Sequence, residues 1–250
     1  MHRLIEKPAR VSEGHCLLKI KSSAGQSLPG QFINIRVSKL NDPLLRRPFS
    51  IFSHEDGIIT TVVKIVGKGT SMLADSEPGE IDLLGPLGSG FSIMKNSRVL
   101  IVGGGVGNTP LYFLARALAE TGCDTTFLYG ARSRKFIYLA DQFRNRVKRF
   151  IITTDDGSEG KKGPVTNSAA SLLEKERFDM IYACGPAAMM KAMVSLAANT
   201  PIEVSVENYF GCGIGLCFGC AVETADGMKR ACLDGPVFNG AVINWDTMPD

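Results

Sequence analysis

Residues 98–110 read RVLIVGGGVGNTP, and this stretch decides the fold of the second half of the chain. Arg98 to Val102 predicts a buried strand, and the glycines after it lead into a helical pattern from Pro110 to Glu120. A strand, a glycine loop and a helix in this order are typical of a phosphate-binding loop, whereas a plain strand-to-helix turn rarely needs four glycines in five positions. We therefore expect dinucleotide binding at this loop. The expected residues are Gly103, Gly104, Gly105, Gly107, Asn108 and Pro110.

Strand and helix patterns continue to alternate after this loop. Such alternation favours a doubly wound parallel sheet, and we assign residues 96–207 to an NAD(P)-binding α/β domain. The predicted strands are 125–129, 150–154, 180–184 and 202–206, and the predicted helices are 140–147, 169–175 and 187–197.

The residues before this half contain short β patterns separated by turn residues such as Pro29-Gly30, Asp56-Gly57 and Pro78-Gly79. The predicted strands are 15–21, 31–37, 49–54, 58–66 and 80–84. Little room remains for helices, so residues 1–95 are expected to form a small antiparallel β-barrel.

Two short motifs in this region suggest a flavin, although each also fits an ordinary structural role. In Arg47-Pro48-Phe49-Ser50, the arginine could pair with a phosphate, the aromatic ring could stack on a flavin and the serine hydroxyl could reach flavin N5. An edge strand beginning after a proline explains the same residues. Gly67-Lys68-Gly69-Thr70, leading into a short predicted helix from Ser71 to Asp75, is a second candidate phosphate cradle, with a plain turn as its alternative.

The cysteines near the C-terminus have the spacing of a plant-type [2Fe–2S] site. Cys212, Cys217 and Cys220 follow a C-x4-C-x2-C pattern, and Cys232 comes eleven residues later. The intervening glycines allow a tight loop whose N–H groups can approach the sulfurs. Structural zinc or free thiols are the alternatives. Residues 208–250 are too few for an apolar core of their own. This cluster-binding segment therefore needs a bound cluster or metal to stabilise it.

Composition indicates a folded protein without a nucleic-acid or membrane role. Of 250 residues, 44% are hydrophobic and 21% are charged, and the net charge of +3 is spread along the chain. The first ten residues lack the apolar core of a signal peptide, and no stretch approaches about 18 apolar residues. We therefore expect a cytoplasmic protein. Seven cysteines in that compartment point to metal or redox chemistry rather than disulfides.

Taken in order, these motifs resemble the ferredoxin reductase superfamily, in which a flavin barrel precedes a pyridine-nucleotide domain. Arg47-Pro48-Phe49-Ser50 is similar to its flavin motif, and Cys184-Gly185-Pro186 is similar to the partner of its glycine loop. Residues 207–217 (ENYFGCGIGLC) and 232–238 (CLDGPVF) resemble the electron-transfer subunits of class 1B dihydroorotate dehydrogenases.

That resemblance implies FAD in the barrel, NADH on the second domain and a [2Fe–2S] cluster in the tail. It places Arg47, Pro48, Phe49 and Ser50 beside the FAD, with Val62, Val63 and Lys64 on its phosphoribityl side and Gly69 and Thr70 at its pyrophosphate. Ser50 would act at flavin N5, and Cys184 would lie near the nicotinamide or simply be packed at a strand end. The implied partner is an FMN-containing catalytic subunit, in a heterotetramer of two subunits of each kind.

Two alternatives remain open within the resemblance. Arg132, Ser133, Arg134 and Lys135 stand where NADH-specific enzymes often have an acid, so the sequence leaves NADPH open as well as NADH. The tail is also similar to that of the γ subunits of cytoplasmic sulfhydrogenases. Ferredoxin:NADP oxidoreductase small subunits are a looser match, because an aspartate tends to stand there in place of Cys212.

Overall fold

The computed structural model describes residues 2–40 and 42–249. In its first part all strand pairs are antiparallel. Alternate apolar side chains such as Leu18 and Ile20 face one core shared with Ile33 and Ile35. The strands form a six-stranded sheet, in the order β6-β7-β3-β1-β8 with β2 beside β3, and a three-stranded sheet β5-β4-β9. The elements are β1 (His2–Leu4), β2 (Ala9–Ser12), β3 (His15–Ser22), β4 (Phe32–Ile35), β5 (Arg47–Ser50), β6 (Ser53–Glu55), β7 (Ile58–Lys64), α1 (Lys68–Ala74), β8 (Gly79–Glu80) and β9 (Leu83–Leu87).

The second part is the predicted doubly wound sheet. Its seven strands have the order β13-β12-β11-β10-β14-β15-β18, where β18 is Val237–Asn239, and all pairs are parallel except β15 with β18. Gly103 lies opposite both Tyr129 and Cys184 in register, so the loops after three strands meet at one edge of the sheet. The elements are β10 (Arg98–Gly104), α2 (Asn108–Glu120), β11 (Asp124–Ala131), α3 (Ala140–Arg144), β12 (Arg149–Thr154), β13 (Lys161–Lys162), α4 (Val165–Leu173), β14 (Met180–Cys184), α5 (Ala187–Ala197) and β15 (Ile202–Ser205).

The C-terminal segment is attached by a strand that the sequence did not predict. A hairpin of β16 (Ala221–Thr224) and β17 (Gly227–Arg230) is followed by β18 (Val237–Asn239), which pairs antiparallel with β15. The buried residues Cys220 and Cys232 share one apolar cluster with the interior of the parallel sheet. The buried apolar side chains of the C-terminal segment therefore lie in the core of the parallel-sheet half.

The predicted fold class is confirmed, with differences at element ends. The predicted strand 49–54 divides into β5 and β6, because Ile51 and Phe52 are buried in succession where the chain crosses between sheets. The predicted helix 169–175 begins earlier, at Val165, directly after Pro164 at its N-cap. Within the described ranges, no helix is long and apolar enough to cross a membrane.

Candidate functional site

A cavity of about 380 Å³ lies between the barrel and the parallel sheet. Seven of the residues expected around a flavin line it: Arg47, Pro48, Phe49, Ser50, Val62, Lys64 and Thr70. The opposite wall comes from the nucleotide half and the C-terminal segment, through Val106, Thr109, Ser205, Val206, Glu207, Asn208, Phe210 and Pro236. The cavity therefore joins all three parts of the chain.

One corner of this cavity has the groups that a pyrophosphate requires. The Thr70 hydroxyl accepts the N–H groups of Val66 at 2.9 Å and Gly67 at 3.1 Å, which fixes the turn into α1. A Cβ at Gly69 would lie 3.1 Å from Arg47 Nε, so the missing side chain lets the guanidinium approach the turn. The cation beside a backbone turn fits the phosphates of FAD.

The side chain of Val63 has a different environment from those of its neighbours. It is fully buried in the apolar core of the barrel with Leu18 and Ile59, whereas Val62 and Lys64 line the cavity. This follows from the alternation of side chains along β7.

The glycine loop after β10 is crowded at three of its four glycines. A Cβ at Gly103 would lie 2.0 Å from Asn108 Oδ1, one at Gly104 2.6 Å from Met189 Sδ, and one at Gly107 2.5 Å from the Cys184 carbonyl oxygen. At Gly105, which has a φ of +57°, no described atom outside its immediate neighbours lies within 4 Å of such a Cβ. Packing thus explains three glycines, and the open surface at Gly105 is where a ligand can approach the backbone.

Two buried side chains hold this loop in place. Asn108, at the start of α2, donates its Nδ2 hydrogens to the carbonyl oxygens of Gly105 at 2.8 Å and Gly130 at 3.3 Å. The hydroxyl of Tyr138 lies 3.0 Å from Thr109 Oγ1 and 3.2 Å from the Val106 carbonyl oxygen, which it can donate to. The sequence did not single out Tyr138, because its neighbours Ile137 and Leu139 are apolar and the run looks like ordinary core.

Cys184 is 2% exposed at the end of β14, directly against Gly107. Burial raises the pKa of its thiol, with Glu207 acting in the same direction, so this cysteine remains protonated at neutral pH. Gly185 and Pro186 line a second cavity of about 190 Å³ together with Glu207 and residues 208–209. The cysteine is therefore packed behind the surface that its two neighbours present.

Glu207 is a second residue to which the sequence assigned no role. It lines both cavities, and desolvation raises the pKa of its carboxyl, while the Lys64 ammonium acts in the opposite direction. The residue as a whole is exposed, so its carboxyl lies between the cavity and solvent.

The four cysteines of the C-terminal segment lie in two pairs, each joined by a hydrogen bond from a backbone N–H to a sulfur. Cys212 N–H donates to Cys217 Sγ at 3.3 Å, and Cys232 N–H donates to Cys220 Sγ at 3.4 Å. The first pair lies toward the surface and the second is buried. Among the described residues, no three Cys, His, Asp or Glu side chains surround one ion position. A [2Fe–2S] cluster needs only two protein thiolates at each iron, so two pairs fit it.

Backbone N–H groups surround these sulfurs. Cys212 Sγ accepts from Ile214 at 3.5 Å and Leu216 at 3.3 Å, and Cys232 Sγ accepts from Gly215 at 3.1 Å. The donors, with Ile214 foremost, lower the pKa of Cys212 to about 6, while desolvation raises that of Cys232 to about 12. Donors of this kind stabilise thiolate charge, as an iron–sulfur cluster requires.

The cavity and the cysteine loop meet at Phe210. Its ring is tilted against that of Phe32 with centroids 5.1 Å apart, and both rings line the cavity. Cys212 follows two residues later, and its carbonyl oxygen accepts a hydrogen bond of 3.2 Å from Asn34 Nδ2. A flavin in the cavity and a cluster on the loop would therefore be neighbours.

Comparisons with known proteins agree with this arrangement. The family model for the iron–sulfur cluster binding domain of dihydroorotate dehydrogenase B matches residues 207–244, and that for the oxidoreductase NAD-binding domain matches residues 101–195. A structure of an NADH-dependent reduced ferredoxin-NADP oxidoreductase superposes with a TM-score of 0.88 at 36% identity, over 98% of this chain and 91% of that one.

Two relatives with assigned names extend the similarity over most of the chain. The dihydroorotate dehydrogenase B (NAD(+)) electron transfer subunit of Desulforamulus reducens is 40% identical over 230 residues, which is 88% of each chain. A homologue of that subunit from Thermotoga maritima is 37% identical over 91% of this chain and 81% of its own. The chain belongs to the family of dihydroorotate dehydrogenase B electron transfer subunits.

Proposed function

We propose that this protein takes electrons from NADH and passes them, through FAD and a [2Fe–2S] cluster, to the FMN of a dihydroorotate dehydrogenase catalytic subunit. One observation carries the proposal: Phe210 lines the flavin-sized cavity and lies only two residues before Cys212, the first proposed cluster ligand. When bound, FAD accepts a hydride and releases its electrons one at a time, which is the conversion that an iron–sulfur acceptor needs.

The barrel residues would hold and orient the flavin. Arg47, Gly69 and Thr70 form the corner suited to its pyrophosphate, and Pro48, Phe49 and Val62 supply apolar wall beside them. The Ser50 hydroxyl would donate to the edge of the flavin ring. Lys64, exposed at the end of β7, would place a positive charge near the ribityl side.

The nucleotide half would bring NADH to the other face of the cavity. Its pyrophosphate would meet the open backbone at Gly105, in the turn of residues 105–107 that precedes α2. Val106 and Thr109 belong to both the loop and the cavity wall, which would connect nucleotide binding to the flavin. Gly185 and Pro186 would border the nicotinamide, with Cys184 as packing behind them.

The cluster loop, residues 211–219, exposes apolar side chains of the kind found at docking sites. Ile214, Leu216 and Phe218 are 44%, 76% and 55% exposed, and they surround the exposed Cys217. Apolar side chains around a redox centre suit a partner that covers the loop and brings its own cofactor close. We propose the FMN-containing catalytic subunit as that partner, in a cytoplasmic heterotetramer of two subunits of each kind.

A second candidate follows from the similarity to the NADH-dependent reduced ferredoxin-NADP oxidoreductase. A chain of that type would work beside a different flavoprotein, and a sulfhydrogenase γ subunit would work beside a hydrogenase. Four cysteines at the cluster favour the dihydroorotate dehydrogenase assignment, because an aspartate tends to replace the first of them in the ferredoxin:NADP oxidoreductase type.

Purification of the native complex separates these candidates. We expect one FMN-containing partner, reduction of orotate by NADH, and an absorption spectrum with flavin bands and iron–sulfur shoulders. Activity with NADPH in place of NADH should be much weaker. A native complex that reduces ferredoxin or sulfur but not orotate contradicts the assignment, and a colourless zinc protein contradicts the electron-transfer function altogether.

Ser50→Ala tests the flavin site within the chain. Loss of one hydrogen bond near the reacting edge, worth about 1 kcal/mol, should slow reduction of bound FAD by NADH roughly five- to tenfold in stopped flow. Ser53→Ala, in β6 and outside the cavity wall, is the matched control and should react at the original rate. Reduction of the Ser50 variant at the original rate, with FAD still bound, would show that the hydroxyl has no such role.

A further inference from the structure

One face of strand β4 contacts the cluster loop and the residue just before it. Ile33 and Ile35 are fully buried in the barrel core, so Phe32 and Asn34 point to the opposite face. Phe32 packs against Phe210, and Asn34 donates to the carbonyl oxygen of Cys212. Residues 32 and 34 of the strand thus contact residues 210 and 212 at the start of the loop.

Asn34 is an unusual residue for that position. It is fully buried, and among the described residues no hydrogen-bond partner exists for its Oδ1. A buried polar atom without a partner opposes folding, and an apolar side chain of similar size would avoid that cost. What the amide contributes here is therefore its bond to the loop.

The loop fits around this amide closely. Gly213 has a φ of +72°, and a Cβ there would lie 2.3 Å from Asn34 Nδ2. Asn34 also stands opposite Pro48 in the β4–β5 register, and Pro48 lines the flavin cavity. One side chain therefore connects the strand beside the flavin residues to the first cluster ligand.

We propose that Asn34 is a positioning residue that fixes the Cys212 peptide against the flavin barrel and thereby sets the electronic properties of the cluster. The proposal rests on the proposed function, because it concerns the same cofactors. Cys212 Sγ accepts N–H groups from Ile214, Leu216 and Cys217, all on the peptide run that the Asn34 bond holds. Hydrogen bonds to the cluster sulfurs affect the reduction potential of the cluster. A change in the orientation of the Cys212 peptide, which would move these N–H groups, should therefore change that potential.

The test replaces Asn34 with leucine, which has a similar size and no donor, in the chain purified with FAD and cluster bound. We expect an altered EPR spectrum of the reduced cluster and a lower reduction potential, because fewer N–H groups reach the sulfurs. Iron extraction by a chelator should be about tenfold faster, since a buried hydrogen bond no longer opposes opening of the loop. Reduction of FAD by NADH should stay unchanged.

Asn108→Leu is the matched control, because Asn108 is also fully buried and also has an Oδ1 without a partner in the described structure. It holds the nucleotide loop, so it should weaken NADH binding and leave the EPR spectrum and the potential of the cluster as they are. If Asn34→Leu does not fold, Asn34→Ser removes the reach to Cys212 with a smaller polar group and gives the same readouts.

An unchanged EPR spectrum, potential and extraction rate in a folded Asn34 variant overturn the proposal. So does an equal cluster change in Asn108→Leu, since it would reveal a general loss of packing. None of these three readouts uses the partner subunit. Failure of the proposed function, seen as a native complex without orotate reduction, would therefore be distinguishable from failure at Asn34.

Discussion

The two glycine-rich loops of this protein have similar compositions and partly different surroundings. In residues 103–107, glycines lie against the Asn108 and Met189 side chains and the Cys184 carbonyl, all parts of rigid elements. In residues 211–219, Gly211 and Gly219 lie near Cys217 Sγ, at 3.0 Å and 3.5 Å from a Cβ built on each. In the first loop the three crowded glycines serve close packing alone. In the second loop Gly213 and Gly215 also pack closely, against Asn34 and Leu233, whereas Gly211 and Gly219 allow close approach to the Cys217 sulfur.

This difference is consistent with what we propose that each loop binds. A nucleotide comes and goes with every turnover, so a loop that binds it would gain from being formed in advance by a strand, a helix and the buried Asn108 and Tyr138. A cluster stays, and metal–ligand bonds contribute to the folding of the segment that holds them. Accordingly, the exposed side chains of the cluster loop, Ile214 and Leu216, alternate with buried Gly213 and Gly215.

Removal of a cluster ligand should produce the largest effect. Cys232→Ala deletes a buried sulfur that we propose as a cluster ligand, so we expect loss of the cluster and a fall in NADH-dependent orotate reduction of at least about 100-fold. Reduction of ferricyanide by NADH, which needs only the flavin, should continue, because the nucleotide loop is built from other elements. Iron analysis and the two assays check this.

Cys16→Ala, an equal truncation in the barrel core, is the control for Cys232→Ala. It should keep its iron and both activities. Loss of the flavin activity in Cys232→Ala would contradict the independence of the two loops.

A smaller effect is expected from two substitutions within the nucleotide loop. In Gly107→Ala the new methyl meets the Cys184 backbone, which cannot move aside, and overpacking of this kind costs about 1–3 kcal/mol. Gly105→Ala meets open space, and only its left-handed backbone opposes a side chain, at about 1 kcal/mol. Urea unfolding should therefore rank Gly107→Ala as the less stable protein.

Nucleotide binding should give a different ranking from stability. Gly105→Ala places a methyl where the pyrophosphate would approach. Its KM for NADH should therefore rise more than that of Gly107→Ala, although it is the more stable of the two variants. Equal losses of stability in both variants would show that packing does not distinguish the glycines. An unchanged KM in Gly105→Ala would place the pyrophosphate elsewhere.

Local patterns in the sequence were enough for the fold class and for the cluster spacing. The apolar run before Gly103 and the C-x4-C-x2-C pattern each involve residues a few positions apart, so a short window contains the whole signal. Residues from the flavin motif and from the second half of the chain line one cavity in the structure, although the assignment of each residue to a cofactor stays a prediction.

Contacts between distant parts of the chain could not be predicted in this way. Asn34 and Cys212 are 178 positions apart, and Tyr138 is 33 positions from Gly105, so nothing local indicates that these groups meet. Strand β18 has only three residues, too few for a recognisable alternation, and it forms because β15 offers a free edge. The reason for Gly103, Gly104 and Gly107 was also hidden, because their packing neighbours come from other elements.

The smallest predicted effect concerns how the barrel supports the nucleotide loop under acid conditions. His15 is 3% exposed, its ring lies 5.3 Å from that of Tyr138, and its Nδ1 lies 2.8 Å from the Glu13 carbonyl oxygen. Desolvation, with a contribution from Lys64, lowers its pKa below the ordinary value of 6.5, while the Glu13 carbonyl acts in the opposite direction. The native state therefore binds this proton less readily than the unfolded chain does.

From this sign, the contribution of His15 to stability is complete above pH 6.5 and declines as the pH falls toward the lowered native pKa. His15→Gln removes the titrating group, so its urea midpoint should fall less between pH 7.5 and pH 5.5 than that of the original protein. His54→Gln is the comparison, because burial lowers the pKa of His54 too, and that ring bonds Ser27 rather than the support of the nucleotide loop. Both variants should reduce the acid sensitivity of unfolding, whereas only His15→Gln should alter hydrogen exchange at residues 105–107, because only His15 touches Tyr138. Equal exchange in the two variants would mean that the barrel does not support the loop through this contact.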